Sequence, residues 1–204
     1  MESETGKIGC ILMASGLSAR YGKNKLLEKL NGREVIWHTA THLMQAGLVP
    51  LAVTRSREVQ ELLDSRGIAC ILHDGAKKSD TMHQGMKHLE PDTIGYLFMP
   101  ADQPLVLPAT LRKLVDQFLR YPQRTLRLGF GCEAGSPVLF PASFREDLLA
   151  YRGDRGGIEV LKEKHAPCDI LQASYPWELW DVDTPEKMEQ VRAIANKFDT
   201  VFRP

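Results

Sequence analysis

The sequence lacks an excess of either charge, a cysteine cluster and a long apolar run. Its 204 residues include 26 Lys and Arg and 26 Asp and Glu, a formal net charge of +0, whereas a general nucleic-acid-binding protein usually carries a basic excess. The four cysteines, Cys10, Cys70, Cys132 and Cys168, form no CxxC pair, which favours reduced thiols over a disulfide framework or a zinc site. No apolar run is long enough to span a bilayer, and the polar opening MESETGK is unlike a secretory signal. We therefore predict a cytoplasmic protein with no nucleic-acid partner and no membrane association.

Short apolar runs alternate with amphipathic runs along the chain. This alternation predicts strands at IGCILMA, VPLAVT, IACIL and IGYLFMPAD, and helices at EVIWHTATHLMQAG, REVQELLDSRG, DTMHQGMKHL and PATLRKLVDQFLRY. After Tyr121 the pattern is looser, with SPVLF, FREDLLAYRG, GGIEVLKEKH, DILQA and LWDVD as an added strand-and-helix section and a final helix from about Pro185. The pattern indicates an α/β fold with a mostly parallel sheet and helices on both faces. The length indicates a single domain spanning residues 1–204.

The stretch LMASGLSARYGKNKLL follows the first predicted strand, at the edge of the sheet where ligands bind in such folds. Small residues, Ala14, Ser15 and Gly16, would let consecutive backbone amides point at phosphate oxygens. Arg20 and Lys25 would then neutralise a polyphosphate. The stretch matches neither the P-loop nor the GxGxxG pattern, and a solvated surface turn is the alternative interpretation.

Two further strand ends carry carboxylates. In FMPADQPLV, Asp102 lies between two prolines that stiffen the turn, and in WDVDTPEK, Asp181 and Asp183 alternate along a predicted short strand and share one face. Carboxylate oxygens are ligands that Mg²⁺ prefers, together with substrate phosphates. The structural alternatives are a turn aspartate at Asp102 and a helix N-cap at Asp183 or Thr184.

Taken together, these motifs resemble those of nucleotidyltransferases that act on the molybdenum cofactor, and above all the CTP:molybdopterin cytidylyltransferases. MASGLSARYGKNKLL resembles the family signature L-A-A-G-x-S-x-R-M-G-x-x-K-L, and PADQPLV resembles its metal-binding aspartate turn. GSPVLF is similar to its G-x-P-V strand, and WDVDTPEK to its closing D-x-D-T-P-E. The resemblance runs in the family's order from about Gly9 to Val191. It implies a single-domain, Rossmann-like, GT-A-like nucleotidyltransferase fold.

The resemblance also implies roles for individual residues. Lys25 matches the catalytic lysine, Asp102 the Mg²⁺ ligand, and Asp183 the second ligand, with Asp181 in reserve. Arg20 is implied to hold the phosphates, and Ser79 matches a serine near the nucleotide. The implied nucleotide-binding residues are Ala14, Ser15, Gly16, Ser18, Arg20, Lys25 and Ser79, and the implied catalytic residues are Lys25, Arg20 and Asp102.

The implied reaction is Mg²⁺-dependent transfer of CMP from CTP to molybdopterin with release of pyrophosphate, and the implied protein partner is a molybdenum hydroxylase apoenzyme. The sequence departs from the family in GDRGGIEVL, where Gly157 and Ile158 replace an Ala-Arg pair, and this leaves the acceptor open. Two alternatives stand beside this reading. One is another nucleotidyltransferase of the same fold, using GTP or a sugar or alcohol phosphate acceptor. The other is a non-catalytic nucleotide or cofactor escort for molybdoenzymes.

One residue pair has the spacing of zinc ligands but lacks the other residues that a zinc site needs. His38 and His42 lie four residues apart on one predicted helix, with no HExxH glutamate between them and no third ligand evident in the sequence. We therefore expect a partly exposed structural pair rather than a metal site.

Overall fold

The computed structural model describes residues 7–16 and 21–198. Its strands are β1 Ile8–Ala14, β2 Lys29–Leu30, β3 Arg33–Glu34, β4 Pro50–Thr54, β5 Cys70–Leu72, β6 Gly95–Pro100, β7 Thr125–Phe130, β8 Glu133–Pro141 and β9 Cys168–Gln172. Its α-helices are α1 Val35–Gln45, α2 Arg57–Asp64, α3 Lys78–Lys87, α4 Pro108–Arg120, α5 Arg145–Ala150, α6 Gly157–Glu163 and α7 Pro185–Lys197. Among these helices, none is long and apolar enough to cross a membrane.

A seven-stranded sheet in the order β5-β4-β1-β6-β8-β7-β9 forms the centre of the protein. Strand β8 runs antiparallel to both of its neighbours, β6 and β7, and the other pairings are parallel. The chain builds outward from β1 to β4 and β5, then returns to place β6 on the other side of β1. This reversal puts a topological switch point between β1 and β6, where α/β sheets bind ligands at the carboxyl ends of their strands.

The alternation of side chains along β1 divides the core into two layers. Leu12 belongs to the layer packed with buried side chains of α1, α2, α4 and α7. Ile11 points to the opposite face, toward buried residues of α3, α5 and α6. The prediction of a mostly parallel sheet with helices on both faces is confirmed.

In the second half of the chain, the sequence analysis misses one strand and predicts another that the structure does not contain. Strand β7, with the sequence TLRLGF, was not predicted, although Leu126 and Leu128 alternate with Arg127 and are fully buried. The predicted strand LWDVD is wrong, since Pro176–Leu179 is a 3₁₀ turn and residues 180–183 form no strand.

Candidate active site

Lys25 begins a short 3₁₀ turn, Lys25–Leu27, at the end of the opening loop. Asn24 starts this turn, because its side chain accepts a hydrogen bond from the Leu26 amide at 3.2 Å and donates one to Ser56 Oγ at 3.2 Å. The neighbouring Leu26 side chain is buried in the core. These contacts turn Lys25 inward and leave it 6% exposed. A lysine so deeply buried is expected to be paired.

The Lys25 ammonium contacts two carboxylates that are distant in sequence. Its Nζ lies 2.5 Å from Asp102 Oδ2 and 2.7 Å from Asp183 Oδ1. We call Lys25, Asp102 and Asp183 the charged cluster. Three of the four residues predicted to serve in catalysis or metal binding are therefore brought to one point, and the fourth, Arg20, lies outside the described residues.

Main-chain hydrogen bonds fix the two carboxylate turns relative to each other. The Val182 amide donates to Asp102 O at 2.9 Å, and the Ala101 amide donates to Met13 O at 3.1 Å. The first bond ties the Asp183 segment to the Asp102 turn, and the second ties that turn to the end of β1. The positions of both aspartates thus depend on backbone contacts rather than on long side chains.

Glu178 reinforces the same junction, and sequence reasoning did not identify it. Its carboxylate is fully buried; Oε1 accepts from the amides of Ser174 and Tyr175 at 2.8 and 3.1 Å, and Oε2 accepts from the Leu107 amide at 3.1 Å. A buried carboxylate needs such donors, since an unsatisfied one is costly. Glu178 therefore joins the segment before Asp183 to the start of α4.

Asp181 and Asp183 do not alternate along a strand as predicted, because residues 180–183 form no strand. The Val182 amide is bonded to Asp102 O, and the Asp183 amide donates to Asp181 O at 3.1 Å, so the backbone turns between the two aspartates. The Asp183 carboxylate contacts Lys25, with its Oδ1 2.7 Å from Nζ. The N-cap of α7 is Thr184, whose side chain accepts from the Lys187 amide at 3.2 Å.

The charges shift the pKa values of neighbouring groups. Burial by itself lowers the pKa of Lys25, but the Asp102 and Asp183 carboxylates outweigh it and raise that pKa above its usual value. Burial, with Asp102 next, raises the pKa of Asp181 to about 6. Lys25 is thus held charged, and Asp181 is disfavoured as an anion because Asp102 and Asp183 already lie nearby.

The donor set of the charged cluster suits a divalent cation. Oxygens of Asp102 and Asp183 converge on one cationic atom, and carboxylate oxygens are hard ligands of the kind Mg²⁺ binds. Within residues 7–16 and 21–198, no three His, Cys, Asp or Glu side chains are grouped to hold a metal ion. Mg²⁺ is commonly held by one or two carboxylates and completes its shell with water and phosphate oxygens. The pair therefore fits Mg²⁺ bound together with a phosphate substrate.

A cavity of about 260 Å³ lies at the carboxyl ends of β1 and β4, beside the start of α3. Among its described lining residues, three side chains are cationic and none is acidic. This charge favours an anionic ligand such as a triphosphate. The lining residues are Met13, Ser15, Gly16, Arg55, Ala76, Lys77, Lys78 and Thr81. We call this space the nucleotide cavity.

The residues predicted to bind the nucleotide are placed differently from one another. Ser15 and Gly16 line the nucleotide cavity, and Ala14 lies buried at the end of β1. Ser79 is fully buried and faces another loop, since its Oγ accepts from the Gly153 amide at 3.1 Å. Thr81 is the α3 hydroxyl residue at the cavity. Ser18 and Arg20 lie outside the described residues.

A smaller cavity of about 70 Å³ adjoins the first and shares Met13 and Lys78 with it. Gly156 begins α6 with a φ of 68°, a conformation that favours glycine. At Gly157 a Cβ atom would lie 2.7 Å from the Phe140 ring, so the alanine that the family carries there would require Phe140 to move. Ile158 lines the same cavity. Both positions that depart from the resembled family pattern thus line this smaller cavity, which we call the acceptor-side cavity because the resemblance implies that this segment helps to hold the acceptor.

The paired histidines of α1 hold the main chain. His38 Nε2 donates to Leu30 O at 2.6 Å, and His42 Nδ1 donates to Val106 O at 2.9 Å. Both rings are buried, so the prediction of a partly exposed pair is wrong, because the same helix face packs on the core. Burial, with a smaller effect of His38, lowers the pKa of His42 to about 4.

The sequence of this chain matches the model of a family described as MobA-like NTP transferase domain. The family model covers residues 10–168, well over half of the chain. The chain belongs to this family. Nucleotidyl transfer is therefore its reaction class.

Several known proteins are similar to this NTP transferase. The 2-C-methyl-D-erythritol 4-phosphate cytidylyltransferase of Pelotomaculum thermopropionicum is 25% identical, over 92% of this chain and 94% of that protein. A nucleotidyl transferase from Methanothermobacter thermautotroptrophicus is 24% identical, with a TM-score of 0.81 over 94% of this chain and 98% of the other. A Mycobacterium tuberculosis protein in complex with manganese is 21% identical, with a TM-score of 0.77 over 92% and 98% of the two chains. These structures confirm the Rossmann-like nucleotidyltransferase fold.

Proposed function

We propose that this NTP transferase moves CMP from CTP to the terminal phosphate of molybdopterin and releases pyrophosphate. The observation that carries the proposal is the convergence of Lys25, Asp102 and Asp183 at one end of the sheet that also bears the nucleotide cavity. CTP is supported by the similarity to a 2-C-methyl-D-erythritol 4-phosphate cytidylyltransferase. Molybdopterin is supported by the motif resemblance.

The reaction joins two anions, so the protein must neutralise charge and fix geometry. An oxygen of the acceptor phosphate bonds to the α-phosphorus of CTP. The bond from that phosphorus to the oxygen bridging to the β-phosphate breaks, and its electron pair leaves with pyrophosphate. No protein nucleophile is needed.

Each part of the site has a role in this step. Arg55, Lys77 and Lys78 would hold the triphosphate in the nucleotide cavity, together with Arg20, whose role comes from the sequence resemblance. Lys25 would stabilise charge that grows at the α-phosphate. Asp102 and Asp183 would hold Mg²⁺, which when bound would supply positive charge that offsets the negative charge of the phosphates.

A second acceptor class has an observation in its favour. The acceptor-side cavity is mainly apolar, with Phe98, Phe140 and Ile158 in its wall and Arg155 and Lys78 as cations. This composition suits a small alcohol or sugar phosphate, whose carbon skeleton packs on the apolar wall while its phosphate meets the cations. A non-catalytic escort is disfavoured, because binding a nucleotide does not require a lysine held between two carboxylates.

Pyrophosphate release tests the proposal. Each of CTP, GTP, ATP and UTP is incubated with Mg²⁺ and with molybdopterin, 2-C-methyl-D-erythritol 4-phosphate or no acceptor. We expect release that requires both CTP and molybdopterin and falls by about 10²–10³ in Asp102→Ala. Asp116→Ala, which removes an exposed carboxylate on α4, is the matched control and should retain the wild-type rate.

The other outcomes separate the alternatives. Release with the erythritol phosphate but not with molybdopterin would identify the erythritol phosphate as the acceptor. Release with GTP but not with CTP would identify GTP as the donor. CTP binding without release for any acceptor would favour the escort. Failure to bind any of the four nucleotides would overturn the proposal as a whole.

A further inference from the structure

His73 lies directly after β5 and contacts Ser15 and Thr81, two residues that line the nucleotide cavity, and none of the roles above includes it. Its ring reaches three separate segments. Nε2 lies 2.8 Å from Ser15 Oγ and 3.3 Å from Thr81 Oγ1, and Nδ1 accepts a hydrogen bond from the Gly75 amide at 3.2 Å. Its own amide donates to Thr54 O at 3.0 Å, which fixes the base of the side chain against β4.

These contacts assign the tautomer of the ring. Because Nδ1 accepts from the Gly75 amide, the proton of the neutral ring must be on Nε2. The Nε2–H group then donates to Ser15 Oγ, and Ser15 Oγ in turn donates to Val53 O at 3.2 Å. Ser15 therefore has both its donor and one acceptor position committed, which holds the first residue of the opening loop against the sheet.

The surroundings of the ring favour the neutral form. Burial, followed by the positive charge of Arg55, lowers the pKa of His73, while Asp80 and Asp74 act in the opposite direction. A proton on Nδ1 would also face the Gly75 N–H group and break that contact. The neutral Nε2–H tautomer is thus consistent with both the geometry and the charges.

We propose that His73 is a positioning residue that acts through Ser15 to hold Ser15 and Gly16 in their binding conformation at the nucleotide cavity. This inference rests on the proposed function, since it takes the nucleotide cavity as the NTP site. Ser15 and Gly16 line that cavity, so an anchor at Ser15 fixes the backbone amides of these two residues before the nucleotide binds. Losing the anchor adds an ordering cost to binding and leaves the chemistry at Lys25 and Asp102 unchanged.

Three substitutions separate the contacts of the ring. His73→Gln places an amide N–H near the position of Nε2 and retains the donor to Ser15. His73→Asn places a carbonyl oxygen near the position of Nδ1, so it retains the acceptor for Gly75 and loses the donor to Ser15. His73→Phe retains the ring and loses both hydrogen bonds.

The first measurement is the dissociation constant of Mg·CTP, by calorimetry without an acceptor, and KM and kcat follow with the acceptor present. We expect His73→Asn and His73→Phe to weaken CTP binding by about three- to tenfold, the value of one lost hydrogen bond, with kcat within about twofold of wild type. His73→Gln should bind like wild type. In the Ser15→Ala background, His73→Phe should have no further effect, because the anchor is already lost.

The remaining outcomes are equally informative. Equal weakening in the Gln and Phe variants, additive losses in the double variant, or a fall in kcat without a change in binding would overturn the positioning role. Thermal unfolding of each variant is the control for a general loss of structure. Such a loss would lower the unfolding midpoint of His73→Gln as much as those of the Asn and Phe variants. If wild-type protein binds no nucleotide, the proposed function fails first, and the inference falls with it.

Discussion

Two sets of polar side chains bind the loop that follows β6, residues 101–107, and they do so with different chemistry. On one side, the α1 residues Thr39 and His42 are neutral hydrogen-bond donors. Thr39 Oγ1 donates to Ala101 O at 3.0 Å and His42 Nδ1 donates to Val106 O at 2.9 Å. On the other side, the charged cluster joins the ammonium of Lys25 to Asp102 of the same loop.

The α1 donors satisfy main-chain carbonyl groups inside the core. Thr39 and His42 are both buried, and a buried carbonyl without a partner would destabilise the fold. Burial keeps His42 neutral, since it lowers the pKa of the ring to about 4. This side of the loop therefore supports the structure.

The charged cluster lies where the protein surface opens. Its lysine is buried, but the side chains of Asp102 and Asp183 are 21% and 36% exposed. Buried ion pairs are weak stabilisers, because desolvation offsets much of their attraction. Charges gathered from distant segments and left accessible to a ligand are better explained by binding and catalysis. The comparison teaches that hydrogen bonds to the main chain mark the scaffold, whereas accessible opposite charges mark the reaction site.

The largest expected effect concerns Lys25. If the cluster serves catalysis, Lys25→Ala should lower kcat by about 10²–10³ and change KM much less, because the charge that Lys25 meets grows in the transition state. Steady-state pyrophosphate release measures both constants. The fold should persist, as judged by circular dichroism.

Lys113→Ala provides the control, since Lys113 is an exposed lysine of α4. It should match wild type in both constants. Equal losses in the two variants, or a loss confined to KM in Lys25→Ala, would contradict the catalytic assignment and make the two sides of the loop alike.

A smaller effect distinguishes the two aspartates that precede α7. Asp183→Asn should raise the Mg²⁺ concentration that gives half-maximal rate by about tenfold to 100-fold, the range seen for altered metal sites. Asp181→Asn should raise it less, because Asp183, and not Asp181, shares the Lys25 ammonium with Asp102. A Mg²⁺ titration of the rate measures both values. A larger shift in Asp181→Asn would make Asp181 the second ligand.

Much of this scaffold could be predicted from the sequence. The run IGCILMA is observed as β1 with the same bounds. Helices α1 and α4 also form where their apolar periodicity predicts them. Lys25 and Asp102 follow predicted strands, where ligands bind in such folds, so the sequence alone was enough to select both as candidate site residues. The pairing itself could not be predicted, because Lys25 and Asp183 are 158 residues apart and their meeting depends on strand order.

The errors have local physical causes. LWDVD alternates like a strand, but its amides bond to Asp102 and to the turn itself, with no neighbouring strand. Ser79 fits a motif by spacing, yet the first turn of α3 directs it toward Gly153 and directs Thr81 toward the cavity. His73 was missed although it follows β5 directly, and the rule that ligands bind at strand ends would have selected it.

The smallest expected effect is on the scaffold side of the loop. The folded chain binds a proton at His42 only near pH 4, whereas an unfolded histidine does so near its ordinary value of 6.5. As the pH falls through that window, the unfolded state binds more protons and the free energy of unfolding decreases. Between about pH 7.5 and about pH 5.5 the loss from His42 should be about 1 kcal/mol. His42→Asn, whose amide can donate to Val106 O without titrating, should lose correspondingly less stability over this range, as measured by urea unfolding at both pH values.

Thr39→Val removes a neighbouring donor that does not titrate, so it should lower the free energy of unfolding about equally at both pH values. If His42→Asn kept the wild-type pH dependence, the ring would not be held neutral by burial, and the contrast with the charged cluster would be lost.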